Sequence, residues 1–219
     1  MELEHKNGRL EVTGIPDAKK LVKLPREYSK GIADLRLHHS DLMIALDSLE
    51  GINKAINAGI PEIAESLWRS SIIHFIKCFS GQKSRDKLDP EKVYAEEPPE
   101  AMQAFNYLKA LRNKHIAHDD NAYLQALTGL ALNEGNKAYK IEKVLCFSLK
   151  SDTLEDGNYG NLLLLINKAK DYVDNEFFKL CDEITVDLEK LSYENLLAFG
   201  ELAFKTPEIT EITKTRHRD

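Results

Sequence analysis

An arginine, an amide and a histidine placed close together on a helix are the parts of a phosphodiester-cleaving site that works without a metal. Residues 108–121, reading LKALRNKHIAHDDN, hold them as Arg112, Asn113 and His118. Upstream, Ala101, Phe105 and Leu108 recur with helical spacing, and Ile116 extends the pattern. Continued at 3.6 residues per turn, that pattern puts Arg112 in the apolar stripe with His115 beside it. A guanidinium keeps its proton, so burying it costs several kcal/mol, on the order of the penalties for buried ions, unless an anion or a ring of acceptors meets it. Either the fold supplies a carboxylate or a ligand supplies a phosphate. His118 follows where the helix is expected to end or bend, and its imidazole titrates near neutral pH.

Arg112-Asn113-x-x-x-Ala117-His118 resembles the signature of the HEPN superfamily, in which an arginine is followed, after four to six residues, by a histidine on a late helix of an all-helical domain. The resemblance implies an all-α bundle of about four to five helices and an RNase of the toxin–antitoxin, abortive-infection or antiviral kind. It also implies a dimer whose two motifs share one cleft, although some members of the superfamily are inactive and serve as binding or scaffolding domains. The positions carried over are Arg112, Asn113 and His118. Four others stand near enough in the pattern to touch substrate: Lys114, His115, and on a preceding helix Arg69 and His74.

In that chemistry His118 takes the proton from a ribose 2'-hydroxyl or returns one to the departing oxygen, a contribution of ~100 to 10,000-fold for a positioned group. Arg112 grips the scissile phosphate in a bidentate fork and stabilises the charge building on its oxygens. Asn113 orients the histidine or a phosphate oxygen. The product is a cyclic phosphate, DNA is spared, and no metal or other cofactor is needed. A single histidine does not readily serve as base and acid in one in-line displacement, whereas a two-fold dimer presents two. The competing reading keeps the stretch structural, with Arg112 paired to an acid such as Asp119 and His118 at a helix C-terminus, where a cation gains about 0.3–1 kcal/mol. A metal reading through His115, His118 and Asp119 is weak, because two histidines three apart lack a third fixed ligand. His74 has its own bland reading, a core-edge histidine satisfied by a neighbour.

The chain that must position these groups has 219 residues, 30 Lys and Arg against 36 Asp and Glu, a formal net charge of −6 and a pI near 5.7. Such a balance disfavours a surface that grips nucleic acid everywhere, yet permits a local cationic cleft. Cys78, Cys146 and Cys181 lie far apart and read as reduced, mostly buried thiols. Met1 and its polar successors do not open a signal peptide, and the longest apolar run, 162–166, is far short of a membrane span. A cytoplasmic protein is expected, with RNA, a second copy of itself and an antitoxin or defence protein as partners, and no membrane.

Punctuation by proline and glycine sets the elements. Residues 1–30 read as an irregular lead-in with room for a short strand or helical turn, and 31–192 as one HEPN-like helical domain. Within that domain a first helix ends at Gly59, a second starts at Pro61, a third begins near Glu100, and a long last helix extends from Leu162 to Leu191. Residues 81–97 read as a solvated charged loop and 152–160 as a polar glycine-containing loop. An inserted β-hairpin is expected at 122–149, where two β-rich runs flank Asn133-Glu-Gly-Asn136. Residues 193–219 read as a short helix and a surface tail.

Overall fold

Proline and glycine place the helix ends as expected. Gly59 takes the left-handed φ of +72° past the end of α1 (Arg26–Asn57). The Gly59 N–H then donates to the Ile56 carbonyl and the Ile60 N–H to that of Ala55, which satisfies two carbonyls of the last turn. Pro61 follows at the first turn of α2 (Pro61–Cys78), where its missing N–H costs nothing. Asp89 caps the short α3 (Pro90–Val93) by accepting from the Glu91 N–H, and Pro99 opens α4 (Pro99–Leu111). The computed structural model describes residues 2–6, 9–15, 17–18, 20–81, 84–118, 120–203 and 206–214.

After α4 come a π-helical turn (Arg112–Ile116), the antiparallel pair β3 (Leu124–Leu132) and β4 (Ile141–Lys150), α5 (Asp156–Leu188), α6 (Tyr193–Leu197) and a 3-10 turn (Ile209–Glu211). Ahead of α1, β1 (Glu2–Lys6) and β2 (Arg9–Thr13) pair antiparallel within the stretch expected to be an irregular lead-in. The described chain is thus mostly helical with two small two-stranded sheets. No helix among the described residues is long and apolar enough to cross a membrane.

The chain divides into two compact units. The first comprises Met1–His39, Gly81–Lys87 and Asp171–Asp219, the second Ser40–Ser80 and Leu88–Lys170. In the first, Asp86 organises the expected solvated loop: its N–H donates to Asp34, its carbonyl meets His38 Nε2 at 2.8 Å, and its carboxylate takes Lys30. Arg85, expected in solvent, is buried beside it in sequence, and Lys83 lies outside the described residues.

The second unit holds the larger apolar core. Leu42, Leu49 and Ile52 of α1, Trp68, Ile72 and Phe75 of α2, Phe105 and Leu108 of α4, and Leu162 and Ile166 of α5 are all essentially inaccessible. Phe75, Phe79, Tyr94 and Phe105 meet edge-on, tilted or, for Phe79 and Tyr94, stacked, with ring centroids 4.8–6.1 Å apart. Trp68 is fully buried, and its Nε1–H donates to Thr153 Oγ1 at 3.1 Å. Of the cysteines expected to be mostly buried, only Cys78 is; Cys181 is half-buried, and Cys146 is exposed because it sits on β4.

Candidate functional site

The apolar stripe of α4 passes through Phe105, Leu108 and Leu111, all buried, and then through His115, which is 2% exposed. Arg112 is therefore not in the stripe but on its border, half-buried, which corrects the expectation of a fully buried guanidinium. The physical reason is competition between neighbours. At about 100° per residue, positions 111 and 112 flank the line from Leu108 almost equally, and burying the leucine gains free energy that burying the arginine would cost.

From Arg112 the backbone widens into π geometry, with the Ala117 N–H reaching five residues back to the Arg112 carbonyl at 2.9 Å. The Asp120 N–H then returns to the Lys114 carbonyl, also at 2.9 Å, and folds the following segment against the helix end. Single π turns of this kind occur often at functional sites, since they re-aim side chains out of the α register.

Arg112 Nη1 donates to Asn113 Oδ1 at 3.0 Å, so the guanidinium is held by a neutral amide. Among the described residues no carboxylate stands within ion-pair distance of it, and Asp119, the acid suspected of pairing with it, lies outside them. His118 falls just after the π turn and is exposed, and among the described residues no hydrogen-bond partner orients its ring. Lys114 is exposed and 3.5 Å from Asp120.

His115, given only a peripheral role by the pattern, is the histidine the fold uses. Arg69 Nη2 lies 3.3 Å from its Nε2, and since an arginine only donates, a hydrogen bond there has Nε2 accepting. The Nε of the same arginine donates to Glu65 Oε1 at 2.7 Å, and that oxygen also accepts from Lys150 Nζ at 2.7 Å. The ring of Tyr123 is tilted against that of His115 at 5.6 Å. Tyr107, which contacts Tyr123, receives a hydrogen bond at 3.3 Å from Asn158 Nδ2, which also donates to the Thr153 carbonyl. Burial first, and Tyr123 second, raise the Tyr107 phenol above its ordinary value.

His74 belongs to a different cluster. Its Nδ1 lies 3.0 Å from the buried Asp41 carboxylate, which also accepts from Lys77 Nζ at 2.9 Å, and this is the neighbour-satisfied histidine of the bland reading. The structure thus joins Arg69 with His115 and Arg112 with Asn113, leaves Lys114 and His118 facing solvent, and sends His74 elsewhere. Glu65, Tyr107, Tyr123, Lys150 and Asn158 were missed. Only the Glu65–Arg69 pair carried a sequence signal, its spacing of four on one helix face. Among the described residues no three His, Cys, Asp or Glu side chains converge on a point that would hold a metal ion. Comparison of the chain with protein-family models, with curated proteins and with solved structures gives no match.

Proposed function

We propose that this chain is a metal-independent endoribonuclease of a prokaryotic toxin or antiviral defence system, with a HEPN-like site built on Arg112, Asn113 and His118. The observation that carries the reading is the environment of Arg112. A half-buried guanidinium with an amide for its neighbour, and no carboxylate beside it among the described residues, keeps its charge available for an incoming phosphate. A titratable ring follows six residues later in solvent. Arg112 holds the phosphate, one His118 removes the 2'-hydroxyl proton, and the resulting alkoxide attacks phosphorus. The 5'-oxygen then leaves with a proton from the His118 of a second copy, and a cyclic phosphate remains. The cytoplasm is where such a substrate would be met.

A second reading, an inactive RNA-binding module or dimeric adaptor of the same kind, is favoured by one observation: the His118 ring has no orienting hydrogen bond among the described residues. Incubation of the purified protein with total RNA in excess chelator decides between them. Cleavage that leaves cyclic phosphate ends and falls by ~100 to 10,000-fold in His118→Ala, and comparably in Arg112→Ala, is the expected result. Salt-sensitive binding without cleavage would select the second reading, and cleavage undiminished in both variants would sink the site.

A further inference from the structure

The arm formed by β3 and β4 is built against the rule for a two-stranded sheet in water. Such a sheet normally buries one face and wets the other, and an isolated hairpin is at best marginally stable. Here nine large apolar side chains from Leu124 to Leu149 are exposed, among them Val144 at 72%, Leu132 at 65%, Phe147 at 57% and Leu130 at 56%. The register sets Leu127 opposite Phe147 and Leu130 opposite Val144. Because successive side chains alternate, these two pairs lie on opposite faces, so both faces of the arm are apolar.

Charge identifies what covers it. The strand β3 carries no charged residue. On β4, Glu142 is paired with Lys137 at 2.6 Å and Lys150 with Glu65 at 2.7 Å, which leaves Lys143 on the strands, and Glu134 and Lys140 in the connecting turn, as the charges of the arm without an ion pair among the described residues. With one acid and two lysines left over on so apolar a surface, the arm offers little to a polyanion or to a strongly charged peptide. A low net charge is what an interface between identical copies requires, since about a two-fold axis each patch meets itself and a large net charge would repel its twin. The size fits as well. Nine such side chains about half exposed present on the order of 800 Å² per protomer, the share of one partner in a standard interface.

We infer that the β3–β4 arm is an assembly element, covered by a second copy of this chain. The inference stands on exposure and charge at the arm, so it can hold when the ribonuclease reading fails, and the reverse is equally true.

The test is the mass of the full chain in solution. Light scattering at micromolar concentration is expected to give twice the 24.9 kDa of one chain for the wild type. The double variant Leu130→Glu/Phe147→Glu, which charges both faces, should associate at least ~100-fold more weakly and run as one chain. Both substitutions fall on exposed positions, so an unchanged helical circular dichroism spectrum is expected to accompany the loss. Exposed Cys146 supplies a measurement that needs no variant: its alkylation should slow as wild-type concentration rises, while that of Cys181 does not. A wild type that is monomeric throughout, a double variant that assembles as the wild type does, or Cys146 alkylation indifferent to concentration would each overturn the inference.

Discussion

His115 and His118 stand three positions apart and are given opposite tasks by their surroundings. The ring of His115 is 2% exposed, accepts from Arg69 and packs on Tyr123, whereas that of His118 meets solvent. Truncating the first opens a cavity and strands a half-buried donor, so His115→Ala should lower stability in a denaturant titration by about 3 kcal/mol. His118→Ala removes an exposed side chain and should stay within about 0.5 kcal/mol of the wild type. Equal losses would mean that both rings serve the fold, and His118 would then be a poor candidate for chemistry. At this scale the sequence was legible in residue types but not in burial. Arginine and histidine near a helix end could be seen, but which of Leu111 and Arg112 enters the core depends on neighbouring elements.

Among the elements, the hairpin was legible because its turn is chemically explicit. Asn133 accepts from the Gly135 N–H at 2.8 Å and its N–H reaches the Lys140 carbonyl, while Gly135 takes a left-handed φ of +80°. The start of α5 was not legible. Gly157 and Gly160 lower helix propensity across the expected loop, and what offsets them is tertiary: Asn158 bonds Tyr107 and Thr153, and the Tyr159 hydroxyl receives Asn53 Nδ2 at 3.2 Å. The π turn left no sequence signal, because nothing in Arg-Asn-Lys-His-Ile distinguishes five-residue from four-residue hydrogen bonding.

Tyr94, just past α3, ties that short helix to α5 by donating its hydroxyl to the Leu165 carbonyl at 3.1 Å, and burial first, then Cys78, raise its phenol well above the ordinary range. A group whose pKa is raised by folding contributes stability that is fully present below the unfolded value, near 10 for tyrosine, and is lost as pH climbs toward the folded value. Tyr94→Phe should therefore cost about 1 kcal/mol at neutral pH yet flatten the alkaline loss of stability. Thermal melts from pH 8 to 11 check this, and parallel curves for the two proteins would show that the loss comes from other groups.

For the molecule as a whole, the question is how a chain of net charge −6 engages a polyanion. The body repels RNA, so on the proposed reading attraction must come from a few local cations, chiefly Arg112 and Lys114, the latter weakly held by Asp120 across 3.5 Å of exposed surface. Each phosphate neutralised on a single strand contributes about −0.7 to the slope of log affinity against log salt, so two contacts give about −1.5 and a cleft shared by two copies about −3. Affinity should then fall roughly 8-fold between 50 and 200 mM salt for one copy and roughly 60-fold for two. Fluorescence anisotropy with a labelled single-stranded RNA and uncleaving His118→Ala protein measures that slope. Adding Leu130→Glu/Phe147→Glu to that protein separates assembly from recognition. A slope that halves with the arm disabled means that both copies hold the same RNA strand, and an unchanged slope near −1.5 means that each copy binds alone. A slope of zero would remove the phosphate clamp assigned to Arg112, and with it the reason for a cation on the border of the core.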